Sequence, residues 1–243
     1  MLLVQSLITA LLAGIFRWDS RCFGQNLLDE PIVVGMVLGL VLGDLKTGLY
    51  VGAQIQLVFL GIVSIGAATP PDKMTASVIG VFWAITAGID AATVVALSMP
   101  IGILGQFLGI LCRVINTRFN LTIDKCAAEG DTKGIDRALW TGAAIFFVLT
   151  AVPVFIGCYF GADAVQAIID ALPPVITNGL QRSSSILPAM GMCILMNYLY
   201  DSHYAPYLFL GFTLSAFLGM STLGCTFIAC VIALITYNYA RGA

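Results

Sequence analysis

Charge is scarce in this chain. Only 10% of its 243 residues are Asp, Glu, Lys or Arg, whereas a soluble domain carries about 25%. So few charges cannot clothe a water-facing surface, which excludes a cytosolic enzyme and a secreted domain. A basic surplus is missing too. The formal net charge is −2, and without excess Lys and Arg nothing neutralises a phosphate backbone, so no nucleic-acid partner is expected. His203 is the only histidine. The seven cysteines form no C-x-x-C pair, and most lie in apolar runs. A thiol there acts as a small hydrophobe, so neither a disulfide framework nor a metal site is expected. No G-x-x-x-x-G-K-S/T and no H-E-x-x-H occurs. No nucleotide site, cofactor or catalytic centre is predicted.

Apolar residues fill the chain instead. They make up 59% of it, and the mean hydropathy is +0.98. Such a chain is a polytopic membrane protein. Met1 to Phe16 has no basic n-region and no small-residue cleavage site, so it reads as a retained membrane segment.

Charge-free runs map the organisation. Runs 47–71, 91–112 and 138–162 are long enough for the ~20 apolar residues that cross a bilayer. Run 202–240 has room for two short crossings meeting near Gly219 to Gly224. Runs 31–43, 74–89 and 171–181 are too short alone; each must join a neighbour, lie in the interface, or enter and return on one side. Residues 113–137 hold five of the eleven basic residues, which makes this segment cytoplasmic by the positive-inside rule. It joins halves 1–112 and 138–243 of a single transmembrane domain, residues 1–243. Each half has a breaker: Pro70-Pro71 in the first, Pro173-Pro174 in the second. Proline removes a backbone donor, and paired interrupted segments point to a transporter's binding site. The expected fold is all-α, with two related halves arranged as inverted repeats and with re-entrant or broken helices.

Polar residues inside apolar runs mark candidate functional positions. Gln54, Gln56, Gln106, Asn178 and Asn197 are such residues, and burying an amide without partners costs roughly 2–7 kcal/mol. Each must meet another helix, backbone, water or a ligand. Gln54 and Gln56 stand two apart, so a regular helix turns them away from each other; one pocket can take both only if the helix is unwound. Asp72 follows Pro70-Pro71 and suits the N-cap of a helix starting near Met74, with a ligand role competing. Asp44 and Lys46 sit between two apolar runs, as a functional charge or an interfacial turn. Gly35, Gly39 and Gly43 share a helix face, followed by Gly48 and Gly52. Small residues at this spacing imply close backbone packing, either within the chain or against a partner. His203, among Tyr200, Tyr204 and Pro206, reads as part of an interfacial aromatic belt.

Three stretches of the first half carry a family signature: Gly43-Asp44-Leu45-Lys46-Thr47-Gly48, Gly52-Ala53-Gln54-Ile55-Gln56-Leu57, and Gly66-Ala67-Ala68-Thr69-Pro70-Pro71-Asp72. Together with Leu172-Pro173-Pro174-Val175-Ile176-Thr177-Asn178-Gly179 and Tyr207-Leu208-Phe209-Leu210-Gly211-Phe212, they resemble the IIC component of mannose–fructose–sorbose family phosphotransferase systems. The resemblance implies a multi-pass subunit of the bacterial inner membrane. It implies a IID membrane partner with which a hexose-type sugar is bound and translocated, and a trimer of such pairs. It also implies soluble IIA and IIB components that carry phosphoryl groups from phosphoenolpyruvate to the sugar. Gln56 stands where relatives often carry an acid, which changes the charge of the pocket. The expected sugar site lies near the midplane, lined by Gln54, Gln56, Thr69 and Asn178 with Asp72 close by, because amides and a hydroxyl bind a neutral polyol without a net buried charge.

Two other classes compete. An ion-coupled secondary transporter would share the broken helices but need a carboxylate at membrane depth; Asp44, Asp72, Asp90 and Asp170 are the candidates. A membrane-embedded enzyme would need a nucleophile or metal motif that the chain does not contain.

Overall fold

The computed structural model describes residues 1–62, 69–161, 174–202 and 204–242. Among these the chain is helix and turn, without strands. It separates into two units, Met1–Leu195 and Met196–Ala243.

The first unit begins with α1 (Leu2–Arg21), α2 (Pro31–Leu42) and α3 (Leu45–Phe59). Pro31 opens α2, where its missing N–H is no loss. Gly43 ends α2 in the left-handed conformation, φ +87°. Asp44 then caps α3: its carboxylate accepts from the Thr47 backbone N–H at 3.0 Å and the Thr47 hydroxyl at 2.6 Å. These bonds hold the Asp44 carboxyl below the usual carboxylate range. Asp44 is therefore a turn residue between two helices. At 12 residues, α2 is about 18 Å long, short of the ~30 Å hydrocarbon core. It returns as α3 in a tight helical hairpin.

The glycine face lies inside that hairpin. A Cβ on Gly35 would overlap the Gly48 carbonyl oxygen, and a Cβ on Gly52 would stand 2.6 Å from the Pro31 oxygen. Gly35, Gly39, Gly48 and Gly52 let α2 and α3 touch backbone to backbone. Of the two packing readings of the sequence, the one within the chain holds. This face needs no partner subunit to cover it.

Run 47–71 is not one crossing, although its length allows it. Helix α3 stops at Phe59, and beyond it Gly61 lies against the backbone at Gly191 of a later helix, α7 (Pro174–Leu199). After Pro70-Pro71 the chain re-forms as α4 (Lys73–Thr86). Every residue of α4 from Met74 to Ala84 is buried, and α1, α2 and α3, with the later helices α5 (Ala91–Glu129) and α6 (Thr132–Tyr159), pack around it. A short helix without a polar face is a central one.

Helices α5 (Ala91–Glu129) and α6 (Thr132–Tyr159) are the long members. Asp90 caps α5 by accepting from the Ala92 N–H at 3.2 Å. The 39 residues of α5 span about 58 Å, so its basic part beyond residue 112 outruns any bilayer crossing. Gly130, φ +71°, turns the chain into α6. The basic segment 113–137 is thus the joined ends of two helices. Helix α7 (Pro174–Leu199) follows.

The second unit contains α8 (Ala205–Ala216) and α9 (Thr222–Gly242), joined through Gly219 at φ +63°. Run 202–240 therefore folds as two helices. The described side chains of α8 and α9 are not buried. An apolar groove of about 810 Å³ runs between them, lined by Tyr207, Leu210, Leu214, Ile228 and Ile232. Among the described residues four helices are long and apolar enough to cross a membrane: Leu2–Arg21, Ala91–Glu129, Thr132–Tyr159 and Thr222–Tyr239.

Candidate functional site

The non-helical stretch around Pro70-Pro71 creates the site. Thr69 precedes a proline, which disfavours helical backbone, so its carbonyl needs a partner from outside. Gln106 of α5 supplies it, donating from Nε2 to the Thr69 oxygen at 2.5 Å. The Asp72 N–H donates to the Gly102 carbonyl of α5 at 2.8 Å. Gly102 and Gly105 make the approach possible: a Cβ at Gly105 would stand 2.9 Å from the Asp72 Cβ, and one at Gly102 would stand 3.4 Å from the Pro71 Cβ. Gly102 lies eleven residues into α5, about 17 Å from its start. Irregular backbone at that depth persists only where protein or a polar cavity satisfies it. Both conditions are met here.

The cavity measures about 360 Å³, within the usual range of about 300–1,000 Å³ for ligand sites. Its wall includes Thr69, Asp72, Lys73, Gln106 and Arg113, with Arg17 and Arg21 from α1 and Asp29 and Glu30 from the following loop. Asp19 fixes that loop. Its carboxylate, on a residue only 1% exposed, accepts from the Asn26 N–H at 3.2 Å, the Asn26 side-chain amide at 2.6 Å and the Leu28 N–H at 3.0 Å. Gln25 and Leu27 adopt positive φ within the turn.

Two ion pairs cross the cavity wall. Arg17 pairs with Asp72, both side chains 12% exposed, and Lys73 pairs with Glu30. Thr75 also donates to Asp72, while Arg17 reaches the Thr150 hydroxyl of α6 at 3.2 Å. Arg113 donates to the Thr69 hydroxyl at 2.6 Å. Burial raises the Asp29 carboxyl, and the nearby Lys73 charge opposes the shift. The wall thus presents many hydrogen-bond donors and acceptors, and Arg17–Asp72 and Lys73–Glu30 neutralise each other in pairs, which suits a polyol.

The residues expected from the sequence separate in space. Thr69 and Asp72 line the cavity. Asp72 is the N-cap residue of α4, as expected, but its side chain makes no cap hydrogen bond there; its carboxylate faces Arg17 and Thr75. Gln56 stands behind the wall, donating from Nε2 to Glu30 at 2.8 Å. Helix α3 is continuous through Gln54 and Gln56, so the two amides point apart. Gln54 makes no side-chain hydrogen bond among the described residues. Asn178 belongs to α7, but its side chain lies outside the described set, as do His203 and Asp170. Arg17, Arg21, Asp29, Glu30 and Lys73 were not expected at the site. They flank helix ends, where charge reads as interfacial solvation. Gln106 did carry a signal, as a lone amide in an apolar run. Three of the four carboxylates proposed for an ion-coupled transporter are engaged otherwise, Asp72 in an ion pair and Asp44 and Asp90 in caps; Asp170 lies outside the described residues.

An all-helical body with several apolar spans and a polar cavity at a broken helix defines a membrane permease. The family model described as PTS system sorbose-specific iic component matches residues 3–235. The chain belongs to this family of phosphotransferase-system sugar permease IIC components, multi-pass proteins of the bacterial inner membrane. It is 33% identical to the N-acetylgalactosamine permease IIC component 1 of Escherichia coli K12, over 86% of this chain and 77% of that one. It is 31% identical to the sorbose-specific EIIC component of Klebsiella pneumoniae, over 93% and 88%. It also resembles the solved mannose transporter ManYZ in complex with microcin E492, with TM-score 0.61, 28% identity and coverage of 98% and 94%. A second solved membrane protein superposes with TM-score 0.85 at 27% identity, covering 98% and 95%.

Proposed function

We propose that this chain binds a hexose-type sugar in the cavity around Thr69 and Asp72 and carries it inward, coupled to its phosphorylation by IIA and IIB components. The observation that carries the reading is the polar cavity at the Pro70-Pro71 break, where α5 supplies Gln106 and two glycines to unwound backbone. The relatives named for N-acetylgalactosamine and sorbose support a sugar as the cargo. A IID membrane subunit completes the pathway. The IIC–IID pairs associate further as a trimer, and halves 1–112 and 138–243 flank a cytoplasmic segment 113–137. Thr69, Asp72 and Gln106 contact the sugar, while Gln56 acts by holding Glu30. Gln54 and Asn178 are the remaining sugar-contacting groups of this proposal.

Calorimetry on the IIC–IID complex tests it. Gln56→Ala leaves Glu30 without its amide donor, a change of about 1–3 kcal/mol, so sugar binding should weaken by about 5- to 150-fold. Lys133→Ala, on the exposed far end of the α5–α6 pair, should leave binding unchanged. If Gln56→Ala and Thr69→Val both bind sugar like the parent, with the fold intact, the sugar site lies elsewhere.

A further inference from the structure

Four cations and three carboxylates line the cavity. Arg17 and Lys73 are matched by Asp72 and Glu30. Arg21 and Arg113 form no ion pair among the described residues, and Asp29 is the only carboxylate left to oppose them. Burial also disfavours ionisation of Asp29. Arg21 ends α1 and Arg113 lies in α5, yet they share one rim with Arg17, close enough for the three charges to act on one another. Each has an ordinary explanation alone: Arg21 suits the C-terminus of α1 and lies 5.8 Å from the Phe146 ring centre, and Arg113 donates to the Thr69 hydroxyl. Their convergence from two helices on one polar cavity has none. Like charges gathered without a counter-ion repel, and an anion between them would relieve this.

We propose that Arg21 and Arg113 form a phosphate-oxygen site at the rim of the cavity, shaped for a phosphomonoester. This rests on the reading of the cavity as a sugar site, and it names the group handled beside the sugar. A phosphomonoester carries about −1.5 to −2 charge and three acceptor oxygens, and the planar guanidinium fork matches them two at a time. Both arginines are exposed, so a ligand can reach them. Arg113 donates one N–H to Thr69 at 2.6 Å, which places its remaining donors beside a proposed sugar contact. Arg113 also begins the basic segment 113–137, the side that the positive-inside rule assigns to the cytoplasm. A hydroxyl phosphorylated there would meet the arginines without the sugar ring leaving the cavity. A lipid headgroup presents similar phosphate oxygens, and the test separates the two sources.

The experiment uses the IIC–IID complex in phosphatidylcholine nanodiscs, titrated with inorganic phosphate, mannose 6-phosphate and neutral mannose. Phosphate and the sugar phosphate should bind saturably. Arg21→Gln and Arg113→Gln should each weaken that binding about tenfold or more, since each removes a hydrogen bond to a charged group. The Lys variants should recover part of it, and thermal unfolding and size-exclusion elution like the parent's should report an intact fold in all. Phosphate that fails to bind the parent, or binds both Gln variants like the parent, overturns the site. If phosphatidylglycerol in the nanodiscs abolishes phosphate binding, the arginines serve lipid and the soluble phosphomonoester is overturned. Arginine-dependent phosphate binding without binding of any neutral sugar upholds the arginine site and sinks the sugar assignment instead.

Discussion

Asp72→Ala is expected to destabilise the protein by about 3–5 kcal/mol, the range for removing one partner of a buried ion pair. Arg17 is 12% exposed and faces Asp72 from α1. Without the carboxylate, its charge keeps only the Thr75 and Thr150 hydroxyls as partners. Most of the penalty is an uncompensated buried cation, so removing both charges should be far milder than removing one. The double variant Arg17→Met, Asp72→Leu should recover most of the loss, because apolar replacement of a whole buried pair is often neutral or better. Thermal unfolding in detergent compares the three proteins. A single variant as stable as the parent would mean that water, and not Asp72, satisfies Arg17. The same series separates stability from transport: the double variant should fold yet bind sugar weakly, since Asp72 lines the cavity.

Gly35→Val should prevent the first unit from assembling. The new side chain would run into the Gly48 carbonyl, and backbone cannot step aside as a flexible side chain can. Overpacking costs about 1–3 kcal/mol, and more where the obstacle is rigid. Gly48→Val meets the Gly35 carbonyl in the same way and should fail equally. Gly43→Ala provides the contrast. Nothing lies within 4 Å of a Cβ there, so only the left-handed backbone objects, at about 1–2 kcal/mol. The yield of monodisperse protein on size exclusion ranks the three. Equal losses at Gly35 and Gly43 would show that conformation, not contact, sets the glycine requirement.

The sequence announced its helices, the break at Pro70-Pro71 and the membrane setting, because hydropathy and proline act locally. Long-range consequences were harder to read. The stripe Gly35/Gly39 shows that two backbones meet but does not say whose; the answer depended on the turn at Gly43-Asp44 folding α3 back onto α2. Length alone allowed run 47–71 to cross, and the packing of Gly61 against α7 at Gly191 decided otherwise. Thr69 and Asp72 were legible as cavity residues because they border the break. Arg17 and Glu30 were not, since their importance comes from partners 55 and 43 positions away. Asp72 holds the N-cap position of α4 but turns its carboxylate to Arg17 for a physical reason. An Asp before a helix ordinarily caps it, but a buried guanidinium is a stronger partner for a carboxylate than a backbone amide.

The glycine contact also bears on motion. Where two helices meet through side chains, small rotamer adjustments let them slide past each other. Between α2 and α3 there is no such layer, so nothing can re-sort itself to permit sliding. The pair must travel as one plank, and any displacement during a transport cycle falls to its ends, at the turn of Asp19 to Glu30 and at the unwound backbone beside Pro70-Pro71. Spin labels on exposed Leu40 and Lys46 should therefore report one unchanging separation with and without sugar, while a label pair joining Leu40 to α5 at Leu104 shifts.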